Sequence, residues 1–323
     1  MKLSKLWCFI VCGSAVFSGA AQAQADYPNR PINVIVSYAA GGTADIATRI
    51  VAEALSETLK VPFVVENRPG GSGSIGTSAA PRAAADGYTL LSASSEISLA
   101  ATGRTAIPPT VLNDLEPLAQ TATAPIVLVT RADAKKSMAE WMKLGRDKPG
   151  QITYATPGIT TSMHLVMTNL LDQSKIPFFH IPYNGGGRAL IDLIGGQVDM
   201  VAVALGTALP QISANKVTPL AVLQSERSRL LPKLPTMSEA VNQPLGDIPL
   251  TWFGWFTQSK TPPAIQEKLA VALGQVMASE SVRERLLQAG LDPQYLAADA
   301  FKRGLGGEVS FYRHAAELIA AEK

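Results

Sequence analysis

Short apolar runs, each closed by a glycine- or hydroxyl-rich turn and followed by a helical stretch, limit most strongly what this chain can become. Ile32–Ser37 opens the series behind Pro31. After Gly41 and Gly42, the residues Ala47, Ile50, Val51, Ala54, Leu55 and Leu59 recur at three- and four-residue steps, the period of one helix face. Pro62–Glu66 reads as a second strand, followed by a Gly/Ser-rich stretch, a short helix and the strand Tyr88–Ser92. Strands separated by single helices imply parallel βαβ units. A second series begins at Ile126–Thr130 and runs through Ile152–Ala155, Phe178–Pro182, Val198–Ala204 and Pro219–Leu223. Arg227–Asp247, rich in proline, glycine and charge, reads as a surface crossing; the strand Trp252–Thr257 and two helices from Pro263 onward close the chain. Two α/β series, with late residues returning to the first, predict two lobes joined by a hinge: lobe one from 24–124 and 224–323, lobe two from 125–223. A chain of 323 residues, 47% hydrophobic, has the length and apolar content for two such domains.

The N-terminus reads as an address. Lys2 and Lys5 precede an apolar run from Leu6 to Phe17, and a small-residue stretch ends in Ala21-Gln22-Ala23, the layout of a secretory signal peptide over residues 1–23. The run falls short of the ~20 residues that span a bilayer. Export to the periplasm with cleavage is therefore expected. Both cysteines, Cys8 and Cys12, lie inside this segment. The mature chain then has no disulfide, no thiolate nucleophile and no cysteine-bound metal. Neither cysteine follows a small-residue box, which argues against a lipid anchor. The chain has 28 Lys+Arg against 26 Asp+Glu, and loss of Lys2 and Lys5 leaves the two in balance. No basic field invites nucleic acid, and no basic amphipathic helix suggests a membrane surface.

Four stretches could carry chemistry. Tyr38-Ala39-Ala40-Gly41-Gly42-Thr43-Ala44-Asp45 lies between the first strand and the first helix, where open α/β sheets place ligands. Its glycines allow close backbone approach, and the amides that open the helix suit an anion. The plain alternative is an ordinary turn with Thr43 as N-cap and Asp45 favouring the helix dipole. Gly70–Gly76 contains a literal G-x-G-x-x-G (Gly71, Gly73, Gly76), but it follows the second strand and has no acid about 20 residues on, so a glycine-rich loop lining a cleft is expected rather than a dinucleotide site. Thr156, Thr160, Thr161 and Ser162 cluster hydroxyls at a helix start, more than capping requires. Tyr183-Asn184-Gly185-Gly186-Gly187 is a second glycine-rich strand-to-helix turn, for which turn geometry alone is a strong alternative.

Catalytic constellations are thin. The histidines are His164, His180 and His314, and a Ser162/His164 dyad lacks a third partner and an oxyanion hole. There is no G-x-S-x-G elbow, H-E-x-x-H or P-loop lysine. Neither a cofactor nor a metal is expected. The pattern describes binding rather than turnover.

Taken in order, these motifs resemble the Bug-type solute receptors, the extracytoplasmic substrate-binding subunits of tripartite tricarboxylate transporters. The residues that carry the resemblance are Tyr27-Pro28-Asn29-Arg30-Pro31-Ile32, Gly41-Gly42 with Asp45 and Arg49, Val65–Gly70, Asp86–Leu90, His164-Leu165, Pro182-Tyr183, Gly195–Asp199, and Leu234–Thr236 with Glu239-Ala240. The resemblance implies a type II periplasmic-binding-protein fold, α/β throughout, whose lobes close over a small carboxylate. It implies a ligand held largely by backbone amides and hydroxyls: Tyr38, Ala39, Ala40, Gly41, Gly42, Thr43 and Asp45 from lobe one, with Ser94 and Ser95 as weaker members. From lobe two it implies Thr156, Gly158, Thr160, Thr161, Ser162 and His164, with Tyr183, Asn184 and Gly185 at the rim. The implied partners are the small carboxylate (a mono-, di- or tricarboxylate or an acidic amino acid) and the membrane permease subunits, with a monomer expected. A sensor kinase is the alternative partner, and a Ser/His hydrolase the alternative function. Three departures stand out: Ala40 where the family has proline, Thr160 where it has glycine, and Asn184 and Arg188 where it has lysine and proline. Arg188 is either a solvated helix residue or a second charge for a longer diacid.

Overall fold

The computed structural model describes residues 27–100, 103, 107–159, 161–246, 248–305 and 308–321. The segment expected to be a signal peptide, with Cys8 and Cys12, and Thr160 lie outside the described residues. In chain order, β1 (Ile32–Val36) leads to α1 (Thr43–Leu59), β2 (Phe63–Asn67), the one-turn α2 (Ser74–Thr77), β3 (Thr89–Ser94), α3 (Glu96–Ala100) and the long β4 (Leu115–Ala124). β5 (Ile126–Arg131) follows at once, then α4 (Met138–Asp147), β6 (Thr153–Thr156), α5 (Ser162–Ser174), β7 (Phe179–Pro182), α6 (Gly186–Ile194), β8 (Met200–Ala204), α7 (Leu205–Ser213) and β9 (Val217–Val222). The chain ends with α8 (Met237–Val241), β10 (Thr251–Gln258), α9 (Pro263–Ala278), α10 (Glu280–Gln288), β11 (Asp292–Ala297), α11 (Ala298–Gly304) and α12 (Val309–Ala321).

These strands form two sheets, ordered β11-β4-β10-β3-β1-β2 and β7-β6-β8-β5-β9. The expected parallel units are present as β2-β1-β3 and β7-β6-β8. Each sheet also has an antiparallel part: β10 runs against β3 and β4, β11 against β4, and β5 against β8 and β9. Apolar clusters cover both faces of each sheet. On the first, Val34 and Val36 pack with Ala47, Val51 and Leu55 of α1, while Ile35 and Leu91 face Phe256 and Phe301 on the other side. A fully buried Leu or Val of this kind contributes roughly 1.5–3 kcal/mol.

Several expectations change. β4 and β11 were not read from the sequence, because Leu115–Ala124 mixes Gln120, Thr121 and Thr123 with small residues and shows neither alternation nor an apolar run. The C-terminal part holds four helices and a strand rather than two helices. The stretch Arg227–Asp247 is more than a surface crossing: Met237 and Leu245 are buried in one apolar cluster with Leu128, Leu165 and Leu170 of the second sheet's layer, as are Tyr312, Ala315 and Ile319 of α12. The packing therefore gives parts of 224–323 to the second sheet, although the sequence expectation placed that whole segment in lobe one.

The glycines of Gly70–Gly76 serve the first sheet. A Cβ on Gly76 would sit 2.7 Å from Ser37 Cα and 3.0 Å from the Arg68 carbonyl. The segment lies tight against the end of β1, and backbone on backbone leaves no room for a side chain. Gly76→Ala is expected to cost ~1–3 kcal/mol, read as a lowered urea midpoint; an unchanged midpoint would show that the contact relaxes freely.

Candidate functional site

Three strand-to-helix turns converge on one cleft. The first follows β1. Gly41 adopts φ +78°, a left-handed conformation that favours glycine, and Gly42 rather than Thr43 is the N-cap of α1. Thr43 is the first helical residue, and its hydroxyl meets Thr207 Oγ1 of α7 at 2.8 Å. Asp45 turns away from the cleft and braces the loop. Its carboxylate accepts the Gly41 amide, Arg49 Nε and Asn67 Nδ2, each at 2.9 Å, and Asn67 also donates to the Tyr38 carbonyl. Burial opposes the Asp45 charge, but hydrogen bonds from Arg49, Gly41 and Asn67 outweigh it and hold the carboxyl below its ordinary range.

The second turn follows β6. Thr161 caps α5: its hydroxyl accepts the His164 amide and donates to the Gly158 carbonyl at 2.9 Å. Ser162 Oγ lies 3.2 Å from Thr251 Oγ1 at the start of β10. Thr156 and His164 support the turn from behind. Thr156 Oγ1 is 2.8 Å from His180 Nε2 and donates to the Gly158 carbonyl, and the His164 ring, 4% exposed, stacks on His180 at 3.7 Å between centroids. The third turn follows β7, where Gly185 caps α6 at φ +105° and its amide donates to the Pro157 carbonyl. Gly186 lies where a Cβ would press on Val203.

Between these turns lies a chamber of about 220 Å³, walled by Tyr38, Ala39, Ala40, Gly41, Gly42, Thr43, Ser94, Thr161, Ser162, Asn184 and Gly185. An adjoining space of about 300 Å³ shares Tyr38, Ala39, Asn184 and Gly185 with it and adds Gly158 and Tyr183. Ser72 Oγ donates to the Ile159 carbonyl at 2.5 Å across the edge of this second space. Of the residues nominated from sequence, Asp45, Ser95, Thr156 and His164 do not reach the lining of either space; Ser95 Oγ accepts the Trp252 amide instead.

The sequence reading missed Thr207, Thr251, Phe253, Met163 and Val203. Thr207 follows β8, so the strand-end rule that nominated the other turns would have found it. Thr251 was out of reach: it begins an antiparallel strand, and only the pairing of Phe253 with Ser94 places that beginning beside the carboxyl end of β3. Among the described lining residues Arg188 is the one charged side chain; it is 67% exposed and stands 3.6 Å from Asp192.

Helix starts and hydroxyls around a cleft between two α/β sheets define a solute-binding receptor rather than an enzyme. Ser162 is engaged by Thr251 and Met163, and His164 is stacked and held neutral. Residues 47–310 match the model of the TctC family, the tripartite tricarboxylate transporter family receptors, and the chain belongs to that family. It is 33% identical over 313 residues to BugT of Bordetella pertussis, covering 96% of this chain and 95% of that one. Among solved structures it is similar to Rpa4515 of R. palustris with adipate (27% identity, TM-score 0.84, 90% and 98% of the two chains). It is also similar to MatC of Rhodopseudomonas palustris with bound malate (25% identity, TM-score 0.81, 90% and 100%). The fold is thus that of the TctC-type periplasmic binding proteins. No helix among the described residues is long and apolar enough to cross a membrane.

The histidine pair gives the site an acid limit. Burial first, and the neighbouring His180 second, push His164 down to about 3, and burial pushes His180 down to about 4. An unfolded imidazole titrates near 6.5 (about). As pH falls below that value the unfolded chain takes up protons that the folded chain refuses, so stability drops from about pH 6.5 toward the folded values, with no contribution above. Imidazole nitrogen NMR at about pH 5 is expected to show the His164 and His180 rings neutral; a protonated His164 at that pH would refute this.

Proposed function

We propose that this receptor captures a small carboxylate in the cleft between its two sheets and delivers it to the permease of a tripartite transporter, after export to the periplasm with removal of residues 1–23. The observation that carries the reading is the charge of the lining: the residues that open α1, α5 and α6, several hydroxyls and, among the described residues, one arginine and no aspartate or glutamate. First-turn amides lack intrahelical acceptors and favour an anion. The apolar part of the chamber, Met163, Val203 and Phe253, suits the carbon skeleton of an organic acid. The adipate and malate of the two similar structures belong to this chemical class. We assign ligand contact to Tyr38–Thr43, Ser94, Thr161, Ser162, Asn184 and Gly185, and a supporting role to Asp45, Ser95, Thr156 and His164. The hinge falls where the chain passes between sheets, at Ala124-Pro125 and between β9 and β10.

A thermal-shift screen of the mature protein against mono-, di- and tricarboxylates tests this reading. A ligand at about 100 times its Kd adds ~2.7 kcal/mol of stability, so a carboxylate is expected to raise Tm clearly. Shifts with sugars or cations and none with carboxylates would reject the class. Arg188→Ala is expected to weaken a diacid about fivefold, roughly 1 kcal/mol, and to leave a monoacid unchanged; equal loss for both would rule out Arg188 as the second charge that meets a diacid.

A further inference from the structure

Behind the wall of the first chamber lies a carboxyl group with no role in the site as described. Glu96 opens α3 and is 3% exposed. Its Oε2 accepts the Ser94 amide at 3.0 Å and forms a short hydrogen bond with Ser94 Oγ. The Tyr38 hydroxyl lies against both Ser94 and Glu96. The other carboxyl oxygen, Oε1, is buried without a hydrogen-bond partner among the described residues. Ser94 and Tyr38 both line the cleft, so Glu96 is one hydrogen bond removed from whatever binds there.

Among the described residues no cation pairs with this acid. The turn over 70–77, the end of β3, the rest of α3 and the start of β10 carry no charged side chain, and Tyr38 is the titratable group that β1 and its loop present. Ser95, just before α3, and Ser98 within it face Tyr312 and Glu308, and Glu308 in turn accepts the Trp252 indole N–H at 3.1 Å. An ionised carboxylate with one oxygen orphaned is among the costlier groups to bury. Burial accordingly drives the Glu96 carboxyl upward, against hydrogen bonds from Ser94 and Tyr38 that favour its charge.

The hydrogens can be counted. If Glu96 is ionised, the hydroxyls of Ser94 and Tyr38 both donate to it and turn their lone pairs to the cleft, an arrangement that repels an anion. If Glu96 is protonated, its own O–H donates to one hydroxyl and releases that hydroxyl's hydrogen for the cleft. We propose that Glu96 keeps its proton at neutral pH and so turns the Ser94–Tyr38 pair into a donor to the bound carboxylate. Glu96 is thus a positioning residue, acting on the ligand only through its two neighbours. This rests on the carboxylate reading above. It makes capture proton-linked: the ligand favours the protonated state, and affinity falls by up to about tenfold per pH unit once the unliganded Glu96 ionises.

Glu96→Gln tests the proposal, since the amide supplies one donor and one acceptor without titrating. Infrared spectra of the unliganded wild type at neutral pH are expected to contain a protonated-carboxyl C=O band that Glu96→Gln removes. Calorimetric titration with adipate and with malate is expected to show wild-type affinity falling as pH rises, and Glu96→Gln affinity matching wild type at neutral pH but flat above it. A wild type lacking the band overturns the proposal whatever the protein binds, as do parallel pH profiles for wild type and variant. A panel in which no carboxylate binds, with the band present, overturns the carboxylate reading and with it the role assigned to the proton, and this outcome is distinct from the loss of the band. Burial also pushes the Glu308 carboxyl up to about 7, so if Glu96→Gln unfolds the band is read in Glu308→Gln, where a band at neutral pH is expected and its absence overturns the proposal.

Discussion

Helix starts without acceptors govern this molecule. α1, α5 and α6 each begin beside the same cleft, and each leaves first-turn amides that no carbonyl of its own helix can reach. Buried amides need partners, and the fold answers only part of that demand: Thr161 caps α5, whereas α1 and α6 begin at Gly42 and Gly185 with no side-chain cap. The nearest carboxylate, Asp45, is committed to Gly41, Arg49 and Asn67. The residues that open α1, α5 and α6 line a space in which no acid stands among the described residues. The glycines that replace caps admit a ligand's oxygens where a side chain would otherwise sit.

The sequence disclosed the parallel strands and the turns that follow them, because an apolar run ending in glycine and hydroxyls is a local signal. It did not disclose what depends on pairing. Thr251 and Phe253 reach the cleft only because β10 runs backwards beside β3, and β4 is central to its sheet although Gln120 and Thr121 dilute its apolar character. The division between an amide-bearing loop and its bracing also escaped: Asp45, Ser95, Thr156 and His164 sit within the right segments but aim their side chains at neighbouring backbone and rings rather than at the cleft. Spacing along a chain fixes proximity, whereas direction is set by partners far away in sequence.

The motifs that made the chain recognisable are largely fastenings. Tyr27 donates to the Gly87 carbonyl at 2.7 Å, and Arg30 pairs with Asp86. Asp199 receives the amide and the hydroxyl of Thr153, which ties β6 beside β8. Such contacts hold a receptor scaffold together whatever it carries. The residues at the cleft that vary the surface offered to a ligand, among them Thr207, Thr251, Arg188 and Ser94, lie mostly outside those motifs.

The interleaving of the two cores has a consequence for how the chain is made. Leu269, Leu273 and Leu291 complete the first core, and Tyr312 and Ile319, close to the C-terminus, complete the second. Neither half can therefore finish its interior during synthesis of the other, and contacts of such long sequence separation form slowly. A chain built in this way stays open until its last helix has emerged. Late closure is thus a property of the topology itself and keeps the polypeptide from completing either core for as long as it is being made.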